Sequence, residues 1–307
     1  MQPVTDKLFG AVLGHPIGHS QSPALHNAAY TALGAPFNYV ARDLQLPELA
    51  GFLAQVRADG NWYGLSVTMP LKNEAAMLVD ELTPVAAAVG AVNTIVPRRD
   101  GTGGTRLVGD NTDVAGIVNA LRHAGVGQRP RAAILGGGGT AVSAIAALGQ
   151  LHATDITLFV RNAHKAAGTL HVAAALGVGV VLESFDAAAG KLAGFDAIIS
   201  TLPPHGADGL AGEFAGIGAT VQDGALLLDV AYDPWPSALA QVWQAAGGTV
   251  VAGIEMLLYQ GVEQVKLFSE AGGLGTLDTV QIGDVINVMC DAIGVHRRDS
   301  HEQNMAG

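Results

Sequence analysis

A run of four glycines between an apolar segment and an alanine-rich segment constrains this chain more than any other feature. The stretch 131–148, RAAILGGGGTAVSAIAAL, is typical of a strand, a tight turn and a helix in succession. Gly136, Gly138 and Ala141 complete the pattern G-x-G-x-x-A, whose glycines allow the turn and a close approach of phosphate. The amide groups at residues 139–140, at the start of the predicted helix, would face those phosphates. A flexible glycine-rich loop is the alternative, but the flanking strand and helix favour a dinucleotide site.

The end of the next predicted strand indicates which dinucleotide would bind. An enzyme that uses NAD usually carries a carboxylate there for the ribose hydroxyls, whereas this chain reads VRNAHK. Arg161 and Lys165, with no acidic residue between Val160 and Lys165, suit a 2′-phosphate. An exposed helix start with ordinary basic residues is the alternative, which the helix dipole slightly disfavours. This segment therefore predicts NADP.

The rest of the second half continues the alternation of strands and helices. The segments predicted as strands are RAAILG, DITLFV, GVGVVLES, DAIISTLP and ALLLDVAY. Five such strands predict a doubly wound sheet. The segment TVVAGIEMLLYQGVEQVKLF then predicts a last strand and a long helix, 278–293 a terminal helix, and 297–307 a frayed polar tail.

The first half opens with a strand, a loop rich in polar residues and a helix. After the predicted strand 8–13 comes GHPIGHSQSP, and then a helix for which Ser22 is the expected N-cap and Pro23 the first helical residue. We expect Gly34 to end this helix. Ser20, His15 and His19 have no capping role in the loop, and loops that follow strands often carry ligands.

Further strands are predicted at 37–43 and 62–69, with a helix at 47–58 between them. The second of these strands leads through Ser66 and Thr68 to Lys72, at the edge where open α/β sheets bind their ligands. Taken alone, a lysine is usually a solvated surface charge.

Two short helices are predicted at 74–82 and 84–89, and Gly90 is expected to end the second. The segments AVNTIV and TRLVGDNTD then predict a hairpin-like pair of strands. Asn93 and Asn111 are ordinary strand-end or turn residues in this reading. Taken alone, Asp113 would cap the helix that follows.

Length and composition bound the remaining possibilities. The 307 residues suit two domains, each with its own core. The net charge of −11 argues against a nucleic-acid or anionic-membrane surface, although a local basic pocket for one phosphate stays open. Two uncharged stretches, 132–154 and 234–254, each predict a strand and a helix rather than a membrane span. The single Cys290, expected as a small buried residue, and the lack of a charged-then-apolar leader lead us to expect a soluble, cytoplasmic protein.

Several short motifs, in family order and spacing, resemble those of the shikimate dehydrogenase family. They are GHPIGHSQSPALHN, GLSVTMPLK, GAVNTI, GDNTD, GGGGTA, DVAYDP and GIEMLLYQG. The resemblance spans nearly the whole chain and implies two α/β domains with the active site in the cleft between them. It implies a substrate-binding and catalytic domain at 1–113, an NADP-binding Rossmann domain at 114–252, and C-terminal helices at 253–307 that return to the first domain.

The resemblance also implies roles for particular residues. Lys72 and Asp113 would be the catalytic pair, in place of the surface and capping roles given above. An ammonium can stabilise and protonate the oxygen of a ketone reduced by hydride, and a nearby carboxylate would fix its position. The residues implied to hold the substrate are Ser20, Ser22 and Tyr232 at its carboxylate, Thr68, Asn93 and Gln260 at its ring hydroxyls, and Ser66 beside them. Those implied to hold NADP are Gly136, Gly137, Gly138, Gly139, Thr140, Arg161, Lys165, Val230 and Gly253, and no metal is implied.

The activity that the resemblance implies is the NADP-dependent reduction of 3-dehydroshikimate to shikimate, by a monomer or homodimer, on the route to aromatic amino acids. Quinate or quinate/shikimate dehydrogenase with NAD is the nearest alternative. A regulatory protein that senses the ligand without turnover is a more distant one, because it predicts loss of the Lys/Asp pair or of the glycine loop.

Three positions depart from the family pattern. Ser66 stands where many members have Asn, the loop reads GGGGT rather than GAGGA, and Glu255 stands where a small residue is frequent. A hydroxyl lacks the reach and one hydrogen-bonding group of an amide. Ser66 therefore bears on the fine substrate preference rather than on the reaction.

Overall fold

The structure is a computed structural model, which describes residues 8–101 and 103–298 and leaves the side chain of Lys165 undescribed. The chain divides into two compact units. Among the described residues, the first unit takes those up to Thr112 and from Leu258 onward, and the second takes Asp113–Leu257. Each unit is built on a six-stranded sheet, so the α/β class expected from the sequence is confirmed.

The elements of the first half follow the predicted alternation. In chain order they are β1 (Leu8–Gly14), α1 (Ser22–Ala32), β2 (Phe37–Asp43), α2 (Leu49–Ala58), β3 (Trp62–Val67), α3 (Lys72–Leu78), β4 (Glu81–Leu82), α4 (Pro84–Val89), β5 (Thr94–Arg99) and β6 (Thr105–Asp110). The strand order is β2-β1-β3-β5-β6-β4. β1 is parallel to both neighbours, whereas β5 runs antiparallel to β3 and β6. The carboxyl ends of β1 and β3 therefore meet at one edge of the sheet, and the predicted hairpin of β5 and β6 is confirmed.

The second half forms a separate sheet and the C-terminal helices. Its elements are α5 (Asp113–His123), β7 (Ala132–Leu135), α6 (Gly139–Gln150), β8 (Ile156–Val160), α7 (Ala167–Ala175), β9 (Val180–Ser184), β10 (Ala197–Ser200), α8 (Asp208–Ile217), β11 (Leu226–Asp229), α9 (Ala238–Ala245), β12 (Thr249–Ala252), α10 (Gly253–Ala271) and α11 (Thr279–Ile293). The sheet order is β12-β11-β10-β7-β8-β9, with all strands parallel. The order reverses between β7 and β10, and ligands of such sheets bind at the carboxyl end of that switch point.

Burial follows from these layers. The strands β7, β8, β10 and β11 are buried along their whole length, as expected of a parallel sheet covered on both faces. The two uncharged stretches resolve into strands and helices as predicted, and none of the helices within 8–101 and 103–298 could cross a membrane. Cys290 is buried, also as predicted. The tail expected to fray lies outside the described residues from 299 onward.

The prediction that Ser22 caps α1 is wrong. The helix starts one residue earlier than expected, so that Gln21 takes the N-cap position without a side-chain bond and Pro23 becomes the second helical residue. The Ser22 amide donates instead to the hydroxyl of Ser20, 3.3 Å away. The hydroxyl of Ser20, in the preceding turn, thus accepts from the backbone amide of the residue that was expected to be the cap.

Two element boundaries in the first unit also differ from the predictions. Residues 81–82 form β4 rather than the end of a helix, because the Asp80 carboxylate accepts from the amide of Leu107 at 2.7 Å and brings the chain alongside β6. The helix predicted from residue 47 begins at Leu49, after a short 3-10 turn at Leu46–Glu48.

A close contact between β3 and α10 generates a stability prediction. A Cβ at Gly64 on β3 would lie 2.5 Å from Cγ of Phe268, a fully buried residue of α10. Gly64→Ala should therefore lower the free energy of unfolding by about 1–3 kcal/mol through overpacking. The matched control is Gly51→Ala in the exposed part of α2, where a Cβ meets nothing within 4 Å. That change should raise stability by about 0.5–1 kcal/mol. Urea denaturation of the three proteins measures both effects, and equal destabilisation by the two changes would contradict the packing argument.

Candidate active site

The glycine loop leaves an open backbone at the start of α6. Gly136 has φ +100°, a left-handed conformation that favours glycine, and its amide donates to the carbonyl of Phe159 at 2.9 Å. Gly138 is the N-cap of α6, and no side chain caps the helix there. A Cβ at Gly138 or Gly139 would meet nothing within 4 Å, and both residues are exposed. The loop thus offers exposed amides and the positive end of a helix dipole, which fit a dinucleotide pyrophosphate.

Arg161 lies directly after β8, at the same edge of the sheet as the glycine loop. Its guanidinium donates to the carbonyl of Gly206 at 2.5 Å and stacks over the ring of Phe185, 4.8 Å from the centroid. The side chain is exposed. A guanidinium held in this way presents its remaining N–H groups in one orientation, which suits a phosphate. Lys165 lies in a 3-10 turn at His164–Ala166, and its side chain is outside the described part of the structure.

Val230 and Gly253, which directly follow β11 and β12, lie close together. A Cβ at Gly253, the first residue of α10, would overlap the carbonyl oxygen of Val230 and lie 2.8 Å from that of Asp229. Asp229 ends β11 and is buried, which raises the pKa of its carboxyl group, and Ser237 donates to it at 2.6 Å. Sequence reasoning missed Asp229, although an acid at the end of the apolar run LLLD is a usable signal. Tyr232 is half-buried, and burial together with the nearby Asp233 charge raises the pKa of its phenol.

The loop after β1 is fastened by a residue that sequence reasoning also missed. Asp43, at the end of β2, accepts from the His15 imidazole at 2.6 Å and from the Ile17 amide at 3.4 Å. The hydrogen bond from His15 lowers the pKa of Asp43. Ser20 is half-buried and Ser22 buried. Of the two serines predicted to hold a carboxylate, Ser20 lies in the loop that Asp43 holds at two points, and Ser22 begins α1 next to it.

The chain after β3 turns into α3 at Lys72. The Thr68 amide donates to the carbonyl of Leu13 at 2.8 Å, which aligns this turn with the end of β1. Lys72 is half-buried, and its carbonyl accepts from the amide of Val92 at 3.0 Å. Lys72 is thus attached through its backbone to the segment that precedes β5.

That segment carries Asn93, which the fold brings together with Gln260. Both are buried, and the Asn93 amide nitrogen donates to Gln260 Oε1 at 3.3 Å and to the Thr112 hydroxyl at 3.0 Å. Asn93 Oδ1 accepts from the Thr112 amide at 2.8 Å. Asn111 donates to the carbonyl of Ala91 at 2.9 Å. The buried Asp113 follows Thr112 directly and begins α5, so Asn93 binds the residue immediately before it.

Ser66 differs from the other predicted site residues because its hydroxyl has partners inside the protein. It is buried, accepts from the Tyr39 hydroxyl at 2.5 Å and donates to Gln264 Oε1 at 2.7 Å. Gln264 also contacts the buried His26, whose Nε2 lies 3.1 Å from Oε1. Sequence reasoning missed Gln264. Its spacing of four from Gln260, which puts both amides on one face of α10, is the signal that could have found it.

Burial of His26 makes stability depend on pH. Burial lowers the pKa of its imidazole to about 3, and the bond to Gln264 offsets part of that effect. Because the unfolded value is about 6.5, the folded state binds the proton less well. The contribution of neutral His26 to stability is therefore complete above pH 6.5 and is lost as the pH falls toward 3.

As the pH falls from 7 to 5, we expect the titration of His26 to lower the free energy of unfolding by about 2 kcal/mol. His26→Gln should reduce that difference, as measured by urea denaturation at the two pH values. His171→Gln, at an exposed position on α7, is the matched control for the change of residue type. An unchanged pH dependence in His26→Gln would contradict the assignment.

Comparison with known proteins gives a consistent result. The family model described as shikimate dehydrogenase substrate binding domain matches residues 12–95. The shikimate dehydrogenase (NADP(+)) of Methanothermobacter thermautotrophicus is 33% identical over 264 residues, which cover 84% of this chain and 89% of that protein. The pentafunctional AROM polypeptide of Yarrowia lipolytica is 35% identical over 270 residues, which are 84% of this chain but only 16% of that polypeptide.

Solved structures agree with these sequence matches. The shikimate dehydrogenase of Mycobacterium tuberculosis superposes with a TM-score of 0.78 and 37% identity, over 94% of this chain and 99% of that one. The shikimate 5-dehydrogenase of Thermus thermophilus, solved in complex with NADP(H) and shikimate, has a TM-score of 0.72 and 28% identity over 93% and 99% of the two chains. Coverage of this extent takes in both sheets.

Proposed function

This chain belongs to the shikimate dehydrogenase family, and from that premise we propose that it catalyses the reversible, NADPH-dependent reduction of 3-dehydroshikimate to shikimate. The observation that carries the proposal is the role of the Val92–Asn93 segment. Val92 binds the carbonyl of Lys72, and Asn93 binds the residue that precedes Asp113. Of two residues with the chemistry of a proton-transfer pair, Lys72 is thereby bonded through its backbone to this buried segment, and Asp113 directly follows a residue bonded to it.

Lys72 is the proton donor in this proposal. Negative charge develops on the substrate oxygen as the ketone is reduced, and the ammonium stabilises that charge and then donates a proton to it. The Asp113 carboxylate orients the ammonium, so the protons belong to the pair rather than to either residue. NADPH supplies the hydride when bound.

Substrate recognition divides between a carboxylate and ring hydroxyls. In this proposal the carboxylate is held by Ser20, Ser22 and Tyr232, and the ring hydroxyls by Thr68, Asn93 and Gln260. Three neutral hydroxyl groups suit an anion, because each can turn its hydrogen toward the charge. Ser66 lies beside these residues, and its contribution passes through Gln264 and Tyr39 because its hydroxyl already binds them.

The cofactor is held at the carboxyl edge of the second sheet. In this proposal the loop residues Gly136, Gly137, Gly138, Gly139 and Thr140 would hold the pyrophosphate, Arg161 with Lys165 would hold the 2′-phosphate, and Val230 and Gly253 would also contact the cofactor. The open amides at Gly138 and Gly139 and the oriented Arg161 guanidinium support this assignment. We place the enzyme in the cytoplasm, in the biosynthesis of aromatic amino acids, as a monomer or homodimer.

The catalytic pair can be tested by replacing its members singly and together. Lys72→Met should lower kcat by about two orders of magnitude or more, while the fold and NADP binding stay intact. Asp113→Asn should also lower kcat steeply, and the double variant should be no worse than the poorer single one, because groups that act as a unit are not additive. Steady-state absorbance at the nicotinamide band measures all three.

Lys191→Met is the matched control for this series, because Lys191 also pairs with a carboxylate, that of Glu183. It should keep normal turnover. Normal turnover in a folded Lys72→Met variant would remove Lys72 from the mechanism, and independent, additive losses would show that Lys72 and Asp113 do not work together.

Cofactor preference tests Arg161. Arg161→Ala removes a charge-assisted contact that NAD cannot make, so the ratio of kcat/KM for NADP over NAD should fall about ten- to hundredfold. Arg131→Ala is the matched control, because Arg131 also stacks over a phenylalanine, Phe195, but directly precedes β7 at the opposite edge of the sheet. The control ratio should stay constant at fixed ionic strength. An equal loss with both cofactors in Arg161→Ala would make the arginine structural and would favour quinate dehydrogenation with NAD.

A further inference from the structure

The side chain of Gln264 uses all of its hydrogen-bonding capacity inside the first unit. It is 1% exposed. Its Nε2 donates to the carbonyl of Asn93 at 3.2 Å and to the hydroxyl of Thr94 at 2.9 Å. Its Oε1 accepts from Ser66 at 2.7 Å and contacts His26 Nε2 at 3.1 Å. Two donors and two lone pairs are the full inventory of a glutamine amide.

The orientation of this amide is determined by one backbone group. The carbonyl of Asn93 can only accept, so the NH2 group of Gln264 must face it, and Oε1 must face Ser66 and His26. An oxygen acceptor at Oε1 requires His26 to carry its proton on Nε2. His26 Nδ1 then accepts from the Tyr30 hydroxyl at 3.0 Å.

The orientation of the Gln264 amide also determines how the Thr94 hydroxyl binds Asn93. Because the Thr94 hydroxyl accepts from Gln264, its own hydrogen is available for Asn93 Oδ1 at 2.7 Å. The Thr112 amide donates to the same Oδ1. Two donors on Oδ1 direct the Asn93 nitrogen toward Gln260, so the Asn93 amide cannot turn over without losing both bonds.

We propose that Gln264 is a positioning residue of the substrate site, which acts through Thr94 and, together with the Thr112 amide, holds the direction of the Asn93 amide. This inference rests on the proposed function, in which Asn93 and Gln260 hold ring hydroxyls. Gln264, which lies behind the Asn93 subsite, then influences which side of that subsite donates hydrogen bonds and which side accepts them. Both N–H groups of Asn93 then point toward Thr112 and Gln260, so a ring hydroxyl that enters this subsite meets the donor side of the amide.

Substitutions at Thr94 test the relay with little change of volume. Thr94→Val removes the hydroxyl, and Thr94→Ser keeps it. We expect Thr94→Val to lower kcat/KM for shikimate about tenfold or more with an unchanged KM for NADP, and Thr94→Ser to recover at least most of that loss. Shikimate analogues that each lack one ring hydroxyl provide the specific readout. The Thr94→Val loss should shrink for the analogue without the hydroxyl that Asn93 binds.

Tyr30→Phe is the matched control, because it removes a buried hydroxyl from the same network on the other side of Gln264. It should lower Tm but leave kcat/KM for shikimate within about twofold of wild type, since the bonds from Gln264 to Thr94 and Asn93 remain. The relay is overturned if Tyr30→Phe and Thr94→Val lose efficiency equally, or if Thr94→Val loses equally with shikimate and with every analogue.

Side-chain NMR keeps the inference testable without turnover. The 15N–1H resonance of the Asn93 NH2 group should shift in Thr94→Val and in Gln264→Leu but not in Tyr30→Phe, and the 15N shifts of His26 should report the Nε2–H tautomer. An unmoved Asn93 resonance or an Nδ1–H tautomer overturns the positioning role. Absence of shikimate oxidation by wild type, with the expected NMR shifts, would instead overturn the proposed function and leave the relay standing.

Discussion

The hydrogen bonds of the Val92–Asn93 segment hold together the substrate half of this protein. The segment lies between α4 and β5 and belongs to no helix or strand, yet its polar groups are bonded on every side. Val92 donates to Lys72, the Asn93 amide donates to the carbonyl of Asp110, and the Asn93 carbonyl accepts from Val67. Asn93 is only 2% exposed, so water cannot take the place of a lost partner. Loss of one of these bonds would leave a buried polar group unsatisfied.

The sequence predicted the elements around this segment better than the contacts within it. The βα alternation, the hairpin after Gly90 and the glycine loop depend on local periodicity and turn chemistry, which neighbouring residues carry. The bonds of Gln264 to Thr94 and His26 join residues 170 and 238 positions apart, and no local pattern encodes such pairing. At Ser22 the helix begins one residue earlier than the capping pattern predicts, and the Ser22 amide binds the hydroxyl of Ser20 in the adjacent turn.

The resemblance to a family supplied the candidate residues, and the structure adds how they are supported. Asp43 accepts hydrogen bonds from the loop that carries Ser20. Asp229 directly precedes the segment that carries Val230 and Tyr232 and accepts a hydrogen bond from Ser237 beyond it. Both acids end a strand and bind the loop beside it. An acidic residue at a strand end thus holds a neighbouring segment in each unit. Neither was found by motif, because a single carboxylate has many ordinary positions at the end of a strand.

The two halves of the proposed site differ in how freely they can change. Gly138 and Gly139 have open space around them, and Arg161 is exposed after the end of β8, so a substitution at these positions would alter the proposed cofactor contact with little effect on the core. Asn93 is different, because its amide is oriented by Thr94 and Thr112, and Thr94 in turn by Gln264. A change at Asn93 alone would leave two or more buried donors without an acceptor. A change of the proposed Asn93 subsite therefore involves Thr94, Thr112 and Gln264 as well, whereas a change of the proposed phosphate contact involves only one or two exposed positions.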